Sequence, residues 1–316
     1  MARRAVVLMN LGGPDTPRAV QPFLVNLFSD PAIIALPAVL RWPLARLIAW
    51  RRAEVARDIY DHLGGGSPLL VNTRAQAEAL ERVLGGGYRC FIAMRYWHPF
   101  AREVAAAVKA WRPDEVVCLP LYPQFSTTTT GSSLADWRYE AVRRGLTCPA
   151  RIVEPYPTVP GFIAALAAAI APLLDTARRK HDKLRLLLSA HGLPLKIVRA
   201  GDPYPGQVEA TAAALIAALA RPALDWLVCY QSRVGPLAWL GPATDEEIRR
   251  CGREGAAVVV APISFVSEHS ETLVELDRDY RRLAETSGVP GYYRAPTVGT
   301  DPQFIAALAE LVRAAA

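Results

Sequence analysis

Seven runs of strand length, at residues 5–11, 89–96, 115–122, 151–156, 184–191, 225–232 and 256–265, are apolar almost without interruption. A half-exposed strand alternates apolar and polar residues. A continuously apolar run needs cover on both faces, as parallel strands flanked by helices receive. Between the runs lie amphipathic or alanine-rich stretches at 73–84, 102–109, 161–179, 207–220 and 244–253 that read as helices. This alternation predicts an α/β chain with parallel sheets. The turn-rich YPTVPG at 156–161 separates two groups of runs and predicts two doubly wound domains, 1–156 and 157–316. A final helix over 301–315 is expected to pack back on the first domain.

The composition narrows the class. With 316 residues, 52% hydrophobic and 21% charged, the chain can bury a large core. Its net charge of +6 comes from dispersed Lys and Arg with no five-residue basic run, so a solvated surface is expected and no nucleic-acid partner. Cys90, Cys118, Cys148, Cys229 and Cys251 show no C-x-x-C spacing, which predicts reduced thiols, a cytoplasmic protein and no structural zinc or iron–sulfur centre. The N-terminus reads as a first strand, not a signal peptide. The uncharged stretch 155–174 holds four prolines and a helix expected to be too short to span a bilayer.

Ligands of open parallel sheets bind outside the carboxyl ends of the strands. Those ends carry NLGGP (10–14), MRYWHP (94–99), LYPQFSTTTTGSS (121–133), SAHGLP (189–194), QSRVGPLAWLGP (231–242) and SFVSEH (264–269), so the site is expected in a cleft between the domains. One stretch there stands out. In SFVSEHSETLVELDRDY, Glu268, Glu271, Glu275 and Asp279 fall on a single helical stripe. Like charges at that spacing repel, so the stripe costs helix stability unless a cation or proton uses it. His191 and His269 end strands in the same half. Histidine with glutamate supplies ligands for a divalent metal or a general base, so His191, Glu271 and Glu275 form a candidate metal or proton-transfer site. The bland alternatives are a turn histidine and a solvated acidic helix.

The glycine clusters at 64–66 and 85–87 match neither dinucleotide nor phosphate motifs. The hydroxyl-rich 126–133 offers an anion site or, more simply, a helix cap. Segment 21–52 is unusually apolar, with Trp42, Trp50, Arg41, Arg46, Arg51 and Arg52. It reads either as a buried helical hairpin or as an apolar lip for a greasy ligand or a membrane surface.

Taken in order, MNLGGPDT (9–16), GGGSP (64–68), MRYWHP, YPQFSTTTTGSS (122–133), SAHGLP, GDPYP (201–205), QSRVGPLAWLGP and SEHSETLVELD (267–277) resemble the ferrochelatase family over nearly the whole chain. The resemblance implies two Rossmann-like domains with parallel four-stranded sheets, and insertion of Fe²⁺ into protoporphyrin IX at the end of haem synthesis with release of two protons. It implies catalytic roles for His191 and Glu271, and a metal route through those two with Glu268, His269, Glu275 and Asp279 on a π-helix. Leu11, Tyr122, Trp239 and Phe265 match positions that grip or bend the porphyrin. Arg52, Tyr60, Ser67 and Arg233 match positions near its propionates, and Arg95 and Tyr96 are expected to line the cleft.

Some relatives hold a [2Fe–2S] cluster, using a cysteine in the YPQFS loop and three in a C-terminal tail. This chain has Thr127 there and no cysteine after Cys251, so no cluster and no other cofactor is expected, with Fe²⁺ as substrate. The 231–242 block and the 21–52 lip resemble the protoporphyrin branch; the alternatives are a coproporphyrin III enzyme, a porphyrin or haem carrier, and a cobalt or nickel chelatase. Peripheral contact with an anionic membrane, on the inner face, is the further expectation from the lip.

Overall fold

The computed structural model describes residues 2–316. The chain forms two compact units, one running up to Pro155 and including Leu308–Ala316, the other Tyr156–Ala307. The boundary falls one residue before the expected one, and the end of the last helix groups with the first unit.

In the first unit β1 (Arg4–Asn10), β2 (Tyr88–Met94), β3 (Glu115–Pro120) and β4 (Ala150–Ile152) pair in parallel in the order β2-β1-β3-β4. In the second, β5 (Leu184–His191), β6 (Asp225–Gln231), β7 (Ala257–Pro262) and β8 (Tyr292–Arg294) pair in parallel in the order β6-β5-β7-β8. Each sheet thus has its first strand in the interior and repeats one topology. Ala5, Val6, Val7 and Leu8, like Ala257 through Ala261, have no exposed surface. Burial of each larger aliphatic side chain contributes about 1.5–3 kcal/mol.

Helices α1 (Val20–Phe28), α2 (Ala38–Asp61), α3 (Leu69–Leu84), α4 (Ala101–Trp111) and α5 (Ser132–Arg143) connect the first strands. A π turn at Thr127–Gly131 leads into α5, started by Ser126 Oγ accepting from Thr128 N at 3.2 Å, so the hydroxyl-rich run caps a helix. The second unit holds α6 (Pro160–Arg178), α7 (Leu195–Arg199), α8 (Tyr204–Leu219), α9 (Thr244–Glu254), a nine-residue π-helix at Glu271–Asp279 and α10 (Tyr280–Thr286). The last helix, α11 (Pro302–Ala315), begins in the second unit and ends in the first, where Arg313 donates to Val83 O at 2.8 Å.

Three details revise the sequence reading. At 19 residues, α6 is long and apolar enough to meet the length requirement for a bilayer span, contrary to expectation. It buries Phe162, Ile163, Leu166, Ile170 and Leu174 in its own unit, which marks a core helix. Strand β8 carried no apolar run and was missed. The glycine-rich blocks serve close packing: a Cβ on Gly13 would come 2.5 Å from Ser67 Cβ, and one on Gly66 would come 2.6 Å from Asp15 O. Ser67 N donates to Pro14 O at 2.7 Å, so NLGGPDT and GGGSP meet backbone to backbone.

The 21–52 segment has one buried face, as a packed helical hairpin would, and another that is apolar and exposed. Ala45, Ala49 and Ala53 form a buried row of small residues, and Ala49 shares a core cluster with Val20, Phe23 and Leu24 of α1. On the other side Val39, Pro43, Leu47 and Trp50 recur every three to four residues, all exposed.

Candidate functional site

Order β6-β5-β7-β8 places the switch in strand order at β5, and the carboxyl ends of β5 and β7 are where such a sheet receives a ligand. His191 is the last residue of β5, and the loop after β7 carries Phe265 and His269 into the π-helix. His191 Nδ1 lies 2.8 Å from Glu271 Oε2. Phe265 stands edge-on to the imidazole at 6.3 Å between ring centres, and tilts against His269 at 4.7 Å. His269 Nε2 is 4.0 Å from Glu271 Oε2, and its Nδ1 lies 3.0 Å from Ser267 O.

Ser232 joins the first carboxylate to the second. Its Oγ lies 3.1 Å from Glu271 Oε2 and 2.5 Å from Glu275 Oε2, while its N–H donates to Glu275 Oε1 at 2.8 Å. To do this the residue sits at φ 61°, a left-handed conformation uncommon for a non-glycine residue. Tyr280 OH donates to Glu275 Oε1 at 2.9 Å. A single hydroxyl proton serves two carboxylates, so only one of them can receive it at a time.

The electrostatics split the two acids. Burial alone would raise Glu271, but the His191 imidazolium bonded to it, with His269 and Ser232, pulls it down to about 2. Burial works against the charge on His191, yet Glu271 and then Glu275 carry its pKa above the ordinary value. Glu275 is raised by burial and by the Glu271 charge, against the pull of Ser232 and Tyr280. Neighbouring carboxylates whose pKa values are pushed in opposite directions are a feature that proton-transfer sites use. Beside Glu275 a cavity of about 320 Å³ opens, lined by Ser232, Glu275, Asp279, Tyr280, Asp245 and Arg249 among others.

The six expected metal-route residues fall in different surroundings. His191, Glu271, Glu275 and Asp279 run outward along one side, Asp279 being about half exposed. Glu268 lies before the helix, so the single stripe expected from its spacing is broken there. Its Oε1 accepts from Arg294 at 2.8 Å and from Thr297 N at 3.0 Å. Among the described residues no three His, Cys, Asp or Glu side chains converge into a metal cage.

In the same unit Trp239 backs Gly192, where a Cβ would meet its ring at 3.3 Å, and Arg233 lies 3.9 Å from Glu246. In the first unit Leu11 packs with Tyr60, Phe23 and Tyr96, and Arg52 lies over the Phe28 ring at 5.8 Å. Ser67 Oγ accepts from Leu69 N at 3.3 Å at the start of α3. Tyr96 does not line an open surface: it has no exposure, and its hydroxyl donates to Asp30 Oδ2 at 2.8 Å. Arg95 is drawn to the same carboxylate at 2.7 Å and to Ser132 Oγ at 2.7 Å, keeping a fifth of its side chain exposed. Burial pushes the Tyr122 phenol above its usual range. Sequence reasoning missed Gln231, Ser232, Tyr280 and Asp30. The first two stand inside the QSRVGP block, but nothing in residue type announces a left-handed serine.

Comparison with known proteins identifies the family. The family model described as Ferrochelatase matches residues 3–316. The ferrochelatase of Phenylobacterium zucineum is 57% identical over 97% of this chain and 89% of that protein. That of Caulobacter vibrioides is 56% identical over 98% and 89%, and that of Wolbachia pipientis wMel 50% over 98% and 98%. Among solved structures, SirB from Bacillus subtilis with Fe³⁺ superposes with a TM-score of 0.55 at 13% identity, covering 99% of this chain and 96% of that one. The sirohydrochlorin chelatase SirB in complex with cobalt gives 0.52 at 12% identity, over 99% and 95%; both speak to the fold. On a match spanning the whole chain and relatives of that name at half or more identity, the chain belongs to the ferrochelatase family.

Proposed function

We propose that the chain inserts Fe²⁺ into protoporphyrin IX. Iron insertion into a porphyrin, a lyase reaction of haem biosynthesis, is the activity of its family. The finer choice of protoporphyrin rests on the 231–242 block and on the outward apolar face of α2. The observation that carries the reading is the His191–Glu271 pair joined through Ser232 to Glu275.

Insertion exchanges two pyrrole protons for one Fe²⁺. It is the neutral imidazole that acts: with Nδ1–H given to Glu271, Nε2 is the nitrogen left to take a pyrrole proton, and the Glu271 carboxylate balances the imidazolium that forms. The imidazolium proton can then move on to Glu275, whose raised pKa suits it to receive one, through Glu271, protonated only in passing, and the Ser232 hydroxyl. Tyr280 and the adjoining cavity lead outward. The same carboxylates supply oxygen ligands to iron shedding its hydration shell. We read the porphyrin contacts, the absence of an iron–sulfur cluster, a cytoplasmic location and peripheral membrane contact as parts of the same proposal.

The test is anaerobic incubation of the protein with Fe²⁺ or Zn²⁺ and either protoporphyrin IX or coproporphyrin III, followed by absorbance. Faster metalation of protoporphyrin supports the reading. Preference for coproporphyrin moves the chain to the other branch, and tight porphyrin binding without metalation makes it a carrier.

A further inference from the structure

Four buried side chains run in one hydrogen-bonded line from the interior of the second sheet to Glu275. Cys229, Thr244, Ser189 and Gln231 are each no more than 1% exposed. Gln231 Nε2 faces the main-chain oxygen of Glu271 and Oε2 of Glu275, both at 3.3 Å. A carbonyl and a carboxylate only accept, so the NH₂ end of the amide must point at them. The opposite end, Oε1, then needs a donor, and Ser189 Oγ meets it at 2.8 Å.

With its only proton given to Gln231, Ser189 can act toward Thr244 Oγ1, 3.0 Å away, only as an acceptor. Thr244 Oγ1 also lies 3.2 Å from Cys229 Sγ, whose thiol in turn points at Leu188 O at 3.9 Å. The acceptors facing Nε2 fix the Gln231 amide and with it the Ser189 hydroxyl, while the single Thr244 proton is shared between Ser189 Oγ and Cys229 Sγ. A flipped amide would set Oε1 against the Glu271 carbonyl and the Glu275 carboxylate, acceptors with no proton between them. Burial makes such mismatches expensive, since an unsatisfied interior polar group costs about 1–3 kcal/mol. The line also ties three pieces of the unit together, because Ser189 is on β5, Gln231 on β6 and Thr244 opens α9.

We propose that Ser189 and Thr244 are positioning residues for metal insertion: by fixing which way the Gln231 amide faces, they hold the Glu275 carboxylate in register with Ser232 on the path of the metal. Neither reaches the substrate; both act through Gln231. The inference rests on the placement of Glu275 on that path, proposed above. A polar line serving only to satisfy the core would leave the metal parameter untouched, which separates the two roles.

The experiment measures Zn²⁺ insertion into protoporphyrin against metal concentration, with melting temperatures, for wild type, Ser189→Ala, Thr244→Val, Thr244→Ser, Glu275→Gln and the double variant Ser189→Ala with Glu275→Gln. Ser189→Ala and Thr244→Val should raise the apparent KM for Zn²⁺ about as much as Glu275→Gln, with little change in kcat, while Thr244→Ser keeps the hydroxyl and the wild-type KM. The double variant should be no worse than Glu275→Gln alone, because changes acting through one group do not add. An unchanged KM in Thr244→Val, additive losses in the double variant, or losses that merely follow melting temperature would overturn the proposal. Should Ser189→Ala not fold, the isosteric Thr244→Val against Thr244→Ser decides it. If Glu275→Gln itself leaves KM unchanged, the placement of Glu275 falls, and the inference with it.

Discussion

His191 Nδ1 and Glu271 Oε2 stand 2.8 Å apart although 80 residues separate them in the chain. The strand end supplies one and the first turn of the π-helix the other, and each favours the charged form of its partner. His191→Ala should therefore abolish metal insertion while porphyrin still binds. Positioned acid–base groups are typically worth ~10²–10⁴-fold, so more than about a tenth of wild-type turnover in the variant would contradict the role. Glu271→Gln should lose a similar amount, since the imidazole then lacks the anion that orients it.

The same pair makes stability depend on pH in a stated direction. His191 is raised above 6.5, so its contribution is complete below 6.5 and is lost as pH climbs through its folded value. Glu271 is lowered from 4.5 to about 2, so its contribution is present above 4.5 and is lost as pH falls toward 2. The pair therefore contributes fully between 4.5 and 6.5 and fades on the alkaline side. Melting temperatures of wild type and Glu271→Gln should differ most between pH 4.5 and 6.5 and converge as pH rises through the folded His191 value. A gap that widens toward alkaline pH would reverse the sign and remove the ion pair from the account.

Farther from His191 the carboxylates should matter less for chemistry and more for metal supply. Glu275 touches Ser232 and Tyr280, and Asp279 sits half exposed on the same cavity. Glu275→Gln and Asp279→Asn are expected to act mainly through the apparent KM for iron, Asp279→Asn least. Glu268→Gln belongs to another class: its partners are Arg294 and Thr297, so it should lower melting temperature more than turnover. Equal kinetic loss at Glu271, Glu275 and Asp279 would remove the gradient.

Much of the fold is legible because burial on both faces writes itself as uninterrupted apolar sequence, as at Ala5–Leu8 and Ala257–Ala261. Strand β8 escaped because Tyr292, Tyr293 and Arg294 are only half buried and polar at their tips. The acidic stripe was readable as spacing, but spacing cannot reveal where a helix begins. Glu268 precedes it and is held by Arg294. Tyr96 and Arg95 looked like cleft residues from their place at a strand end. Asp30, 65 residues earlier than Arg95 and without a local signal, turns both toward itself. Ser232 was hidden for the same reason: its part is set by a backbone conformation, not by its type.

Cysteine placement yields a prediction about metal content. Cys118, Cys229 and Cys251 are buried, burial pushes the Cys118 and Cys229 thiols up to about 12, and Thr127 occupies the loop position where cluster-bearing relatives have cysteine. A thiol held protonated is a poor iron ligand. Anaerobically purified protein should show neither visible iron–sulfur absorption nor acid-labile sulfide, and stoichiometric iron with sulfide would overturn this.

The outward face of α2 bears on where the enzyme works. Trp50 is 65% exposed, Leu47 45%, Leu40 59% and Val39 79%, a contiguous apolar stripe of the kind that marks a lipid or partner surface. Arg46, Arg51 and Arg52 are exposed beside it and could each add ~1 kcal/mol on anionic headgroups. Arg41 is spent otherwise, donating to the carbonyls of Ser29 and Leu36, so it braces the start of the helix instead. A surface of this kind gives reversible, salt-sensitive adsorption, without a spanning helix. Sedimentation with anionic and neutral liposomes should show wild type binding the anionic ones at low salt and releasing them at high salt. Trp50→Ser with Leu47→Ser should lose binding yet metalate detergent-dispersed porphyrin normally, because both side chains point away from the α1 contact. Equal, negligible binding of wild type and variant to both liposomes would restrict the stripe to the porphyrin, and variant activity falling together with binding would tie it to the reaction itself.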